Sequence, residues 1–223
     1  MNNISMIIVQ KLLILPGILL GISVHEFAHA YMAYKLGDES QKFRGRLTIN
    51  PTKHLDPIGF ILLLVVGFGW AKPVMIDSRY FKNPKKDDIK VSLAGPVANL
   101  IVALITAVFL GLMIGIFARM GMSTSGQTFS IIIMIFKNMI WMNLILLVFN
   151  LIPIPPLDGH HILADIGGYK VQNFYNRYAN YWSMILIILV VMGAFSYIIL
   201  PIVSVLNNLM LEIAQVIITV LVI

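Results

Sequence analysis

The sequence predicts an all-α polytopic membrane protein: about five transmembrane helices, within a range of four to six, and a short re-entrant or β-hairpin element between the first two full spans. Three observations predict it. The chain is 59% hydrophobic and only 12% charged, with a mean hydropathy of +0.88, whereas a soluble domain is about half apolar and about a quarter charged. Apolar runs approaching or exceeding the roughly 20 residues that cross a bilayer as a helix lie near 7–34, 91–117, 129–151 and 182–200. Finally, the net charge of +6 is concentrated between Lys35 and Lys90, beside the spans. No fold for base readout accompanies those residues, so they mark cytoplasmic loops rather than a nucleic-acid partner.

Taken in order, the first run carries the unusual segment "GISVHEFAHAYMAYKLG", Gly21 to Gly37. The stretch that follows, "FRGRLTINPTKHLDPIGFILLLVVGFGWAKPVMIDSRYF", is punctuated by Gly and Pro, which predicts turns and small strands. Its apolar piece 58–68 is too short to span, and "GWAKPVMI" reads as one strand of a hairpin. The second full span starts near Val91, a polar turn around "MSTSGQT" follows it, and the third span closes on prolines. Basic residues at Lys170 and Arg177 place the next connection inside. The first span then runs inward, the second outward and the third inward, provided that 58–68 does not cross. A fifth run, 201–223, is interrupted by Asn207, Asn208 and Glu212. The whole chain, 1–223, reads as one membrane domain with its core in 5–165 and hydrophobic helices over 182–223. The first residues lack the features of a removable leader, and the absence of cysteine excludes disulfides and thiolate ligands.

His25-Glu26-Phe27-Ala28-His29 fits H-E-x-x-H. On a helix, positions i and i+4 lie one above the other, so both imidazoles reach one ion, and the glutamate between them is placed as an acid/base beside it. The bland alternative is a set of interhelical hydrogen bonds. Three ionisable groups in five positions at membrane depth are costly enough to favour a functional site. A catalytic zinc needs a third protein ligand. Candidates are Asp158, His160 and His161 in "NLIPIPPLDGHHIL", at the end of the third span. The prolines at 153, 155 and 156 stiffen the backbone before Asp158 and favour it. Asn150 and Asn99 are candidate amide donors to a reacting carbonyl. Asn143 reads as a packing hydrogen bond, and His54 as an interfacial group.

"HEFAHA" at His25–Ala30, "AGPVANL" at Ala94–Leu100, "NLIPIPPLDGHHIL" at Asn150–Leu163 and "GRLTINPTKHLDPIGF" at Gly45–Phe60 resemble the site-2 protease family of intramembrane zinc metalloproteases, in its small bacterial-type subgroup without a PDZ domain. The chain departs from the frequent "NPxP" form, since Leu151 follows Asn150. The resemblance implies one Zn2+ per chain held by His25, His29 and Asp158, with Glu26 as catalytic acid/base and Asn150 in substrate handling. It also implies a multi-pass protein of the bacterial plasma membrane, its site toward the cytoplasm, that cuts membrane-protein substrates in or near a transmembrane segment. The stretch 67–74 is then a candidate edge for an unwound peptide. Competing expectations are an ion-path transporter, a catalytically silent client binder, and another membrane zincin using Glu39 or Glu212.

Overall fold

The computed structural model describes residues 3–66, 69–124 and 126–223. The described chain is helical. Helix α1 (Asn3–Lys35) is followed by three shorter helices, α2 (Ser40–Phe43), α3 (Pro51–His54) and α4 (Pro57–Val66), and by a 3-10 turn at Ser78–Tyr80. Long helices α5 (Pro84–Arg119) and α6 (Gln127–Asn150) come next, then α7 (Asp158–Arg177), α8 (Ala179–Val191) and α9 (Ala194–Val222).

Local chemistry sets several of these boundaries. Asn50 caps α3, its side chain accepting from the Thr52 amide at 3.1 Å with Pro51 at the first helical position. At the start of α5, Pro84 occupies the first turn and the Asp87 carboxylate accepts the Asn83 amide at 3.0 Å. Helix α6 stops at Asn150, just before the proline-rich "IPIPP" that cannot continue it.

Among the described residues, four helices are long and apolar enough to cross a membrane: α1, α5, α6 and α9. That is the low end of the expected range, and the reason is local. The run 182–200 is not a span of its own, because α8 ends after 13 residues and the chain turns at Gly193, whose φ of 69° favours glycine. The rest of that run opens α9, which carries the segment 201–223. The apolar piece 58–68 forms α4, whose 10 residues extend only about 15 Å as a helix. Gly67 and Phe68, which end the apolar piece 58–68 and open the candidate edge 67–74, lie outside the described residues. Among the described residues the hairpin is reduced to one antiparallel bridge, Leu55 with Ala71, extended by the Lys72 amide donating to the His54 carbonyl at 2.8 Å.

Helix α5 is central and packs against α1, α6 and α9. Ala103, Ala107 and Leu110 of α5 meet Ile140 and Leu144 of α6 and Val203 and Met210 of α9 in the main apolar cluster. Small residues allow close helix approach where lipid supplies no hydrophobic drive: a Cβ on Gly17 would stand 2.9 Å from Cα of Met139. With α5 antiparallel to both α1 and α6, the end of α1, the start of α5 and the end of α6 gather at one end of the bundle. Helix α7 crosses there against α5.

Candidate metal centre and its cleft

His25 and His29 stand one turn apart on α1, both 6% exposed, their rings 4.5 Å apart and nearly perpendicular. Each ring is anchored through its far nitrogen. Nδ1 of His29 lies 2.7 Å from the Val91 carbonyl oxygen, and Nδ1 of His25 lies 2.7 Å from Oδ1 of Asn99. The Asn99 orientation is fixed independently, since its Nδ2 donates to Gly21 O at 3.1 Å and to Asn143 Oδ1 at 3.0 Å. Asn143 in turn donates to Met139 O at 2.8 Å. Carbonyl oxygens only accept, so each Nδ1 carries the proton and each Nε2 presents a lone pair. The two Nε2 atoms are 2.9 Å apart.

Asp158 completes the group. Its Oδ2 is 3.2 Å from His25 Nε2 and its Oδ1 3.3 Å from His29 Nε2, yet the buried Oδ2 has no hydrogen-bond partner. Two lone pairs and a carboxylate, with ligand atoms all within 4.8 Å, converge without a proton assigned between them. That donor set fits a divalent cation that accepts nitrogen and oxygen ligands.

The backbone makes room for this convergence. Gly159, directly after Asp158, lies so close to Leu151 that a Cβ would overlap the Leu151 carbonyl, so the turn into α7 requires glycine there. On the opposite side, a Cβ at Gly95 of α5 would stand 2.7 Å from Nε2 of His25 and closer still to Nε2 of His29. Pro96 follows and cannot bond the Ser92 carbonyl one turn back; the carbonyl offered to His29 is that of the preceding residue, Val91.

Glu26 faces the same cleft, and its Oε2 accepts the Val74 amide at 3.1 Å. Val74 belongs to an extended strap after the Leu55–Ala71 bridge. The strap is tied down along its length: Gln41 Nε2 donates to the Met75 carbonyl, Asp38 Oδ2 accepts the Asp77 amide at 2.9 Å, and Arg46 Nη1 donates to Lys72 O at 3.2 Å. Behind it, fully buried His54 pairs with Thr48 O at 2.6 Å.

Two cavities meet at this point. One, of about 300 Å³, is lined by apolar side chains including Ile18, Phe60, Leu63, Met142 and Leu146. The other, of about 420 Å³, is polar and is lined by Val74, Asp88, Ser92, Asp158 and His161 among others. His25, Glu26, Asn150 and Pro156 line both.

The model of Peptidase family M50 matches residues 13–193. The chain belongs to peptidase family M50. This M50 peptidase is 42% identical over 186 residues to YwhC of Bacillus subtilis, covering 82% of each chain. It is 32% identical over 158 residues to Rip2 of Mycolicibacterium smegmatis, covering 68% of this chain and 56% of that relative. Both relatives bear the name "Putative zinc metalloprotease". No solved structure matches.

The M50 chain therefore brings together three of the residues expected to share an ion, His25, His29 and Asp158, with Glu26 beside them. The rival ligands stay apart from that group. His160 turns its Nδ1 to Leu157 O at 2.8 Å, and His161 turns its own to Asp88 at 3.4 Å. Asn150 lines both cavities, its Nδ2 donating to Leu146 O at 2.9 Å. Asn99 faces His25 rather than open space, both its N–H groups donating to Gly21 and Asn143. Sequence reasoning missed the cradle at Gly95 and the amide of Val74. The first was visible only as a small residue in "AGPVAN"; the second had no signal, since every residue but proline carries that N–H.

Proposed function

We propose that the chain is an intramembrane zinc metalloendopeptidase, a single domain over 1–223, that hydrolyses peptide bonds in or near transmembrane segments of membrane proteins. Its site lies toward the cytoplasmic side of the bacterial plasma membrane, a placement supported by the basic residues between Lys35 and Lys90. The observation that supports it best is the pair of Nε2 lone pairs, 2.9 Å apart and backed by acceptors on both Nδ1 atoms, facing the carboxylate of Asp158.

His25, His29 and Asp158 are the residues that would hold zinc. A zinc ion there supplies Lewis acidity and a water that ionises near neutral pH. Glu26, steadied by the Val74 amide, takes the proton from the attacking water and returns it to the leaving amine. A substrate helix hides its own amides, so it must unwind before attack, and the extended strap through Ala71–Val74 is where an unwound segment pairs by backbone hydrogen bonds. The apolar cavity beside Glu26 accommodates substrate side chains arriving from lipid.

The test is purification in detergent with metal analysis and cleavage of single-span substrates. Wild type is expected to carry about one zinc per chain, Asp158→Ala to lose it, and Glu26→Gln to keep it while losing cleavage. Metal retained by Asp158→Ala, or cleavage retained by Glu26→Gln, would overturn the proposal.

A further inference from the structure

One pair in the polar cleft has no part in the scheme above. His161 lines the cleft that also holds Glu26, His25, His29 and Asp158. It sits one turn beyond Asp158 on α7, and the spacing of Asp158, His161 and Asp165 puts all three on one stripe of that helix. From α5, Asp88 places Oδ2 3.4 Å from Nδ1 of His161. Asp88 also lies beside Asp165, whose Oδ1 accepts from Gln172 Nε2 at 3.2 Å. The titratable groups around His161 are thus Asp88 from α5, and Asp158, Asp165 and His160 from its own helix.

A carboxylate on Nδ1 does two things to an imidazole. It accepts the Nδ1–H and so fixes the ring, and it favours the imidazolium, whose second N–H, on Nε2, is then the donor left for the cleft. Side chains from two different helices are needed to build this arrangement, and it lines the same cleft as Glu26, His25, His29 and Asp158. Of the two amide candidates for the scissile carbonyl oxygen, Asn99 is occupied, giving its N–H groups to Gly21 and Asn143, while Asn150 lines the cleft with Nδ2 donating to Leu146 O.

We propose that His161 is a catalytic residue whose Nε2–H donates to the carbonyl oxygen of the scissile bond as negative charge builds there, and that Asp88 is the positioning residue that orients it. The proposal rests on the peptidase reading of the same site. No bond to His161 forms or breaks; it contributes by stabilising charge that is greater in the transition state than in the bound substrate.

The experiment uses the full-length, zinc-loaded protein in detergent and an N-phosphoryl dipeptide, a tetrahedral anion, as the binding probe, alongside cleavage of a fluorophore–quencher single-span peptide. His161→Ala is expected to keep about one zinc per chain, to bind the phosphoryl dipeptide at least about tenfold more weakly, and to lose about 10²–10³ in kcat with KM little changed. Asp88→Asn is expected to show a smaller loss in the same quantities and to move the alkaline limb of the kcat profile to lower pH. Unchanged probe affinity in His161→Ala overturns the proposal, as does loss of zinc, which would make the residue part of the metal's support. The binding arm needs no cleavable substrate. Failure of the underlying peptidase reading shows itself separately, as cleavage that survives Glu26→Gln.

Discussion

Nδ1 of His25 and Oδ1 of Asn99 stand 2.7 Å apart across two helices, and that single contact decides which nitrogen of His25 is free to bind a metal. Asn99→Ala leaves the ring unanchored in its tautomer. Zinc affinity is expected to fall 10–100-fold, the usual effect of losing an outer partner of a ligating histidine, as read by competition with a chelator. Asn99→Asp retains an acceptor for Nδ1 and is expected to recover part of the loss; equal weakening in both variants would show that the contact does not orient the ring.

Gly95 is the point where α5 comes closest to the imidazoles. Gly95→Ala is expected to cost about 1–3 kcal/mol of stability by overpacking and to lower zinc content with it. Thermal melts in detergent and metal analysis, taken together, check both. A variant that melts normally with full zinc would mean that the cleft walls yield more easily than the close approach indicates.

The Val74 amide donates to Glu26 at 3.1 Å. Val74→Pro deletes that donor while changing little in volume. A hydrogen bond to a charged group is worth about 1.5–3 kcal/mol, so kcat is expected to drop about 10–100-fold with zinc content unaltered. Single-turnover cleavage distinguishes this from slow product release.

Asp165 on α7 is pushed from its ordinary 3.8 up to about 6, by burial first and by Asp88 in addition. A carboxyl raised in this way binds a proton more tightly folded than unfolded. Its contribution to stability is present below about 3.8 and is lost as pH rises through about 6. Asp165→Asn is expected to flatten that portion of the stability–pH curve, measured by melts across the interval; an unchanged curve would show that the group titrates normally.

Much of this site was legible from residue types because helical geometry is regular. The i, i+4 spacing of His25 and His29 and the prolines ahead of Asp158 carry their positions with them. The role of Asn99 was not legible, because an amide has a donor end and an acceptor end and only the neighbouring Gly21 and Asn143 decide which faces the histidine. The split of the run 182–200 was equally hidden: a glycine inside an apolar stretch is tolerated in many membrane helices, and Gly193 terminates one here by adopting a left-handed backbone. The strap over Glu26 depends on contacts with Gln41 and Asp38, far off in sequence and without periodicity to announce them.

The two cavities that share His25, Glu26, Asn150 and Pro156 differ in character, one almost wholly apolar and one lined by polar and apolar groups alike. On the intramembrane reading proposed above, a polypeptide laid through both would pass from an apolar chamber to a more polar one beside Glu26, so its two halves after scission would have different exits. On that reading the bilayer would retain the apolar half while the polar half left the site, and separation of the products would itself oppose religation without any moving door.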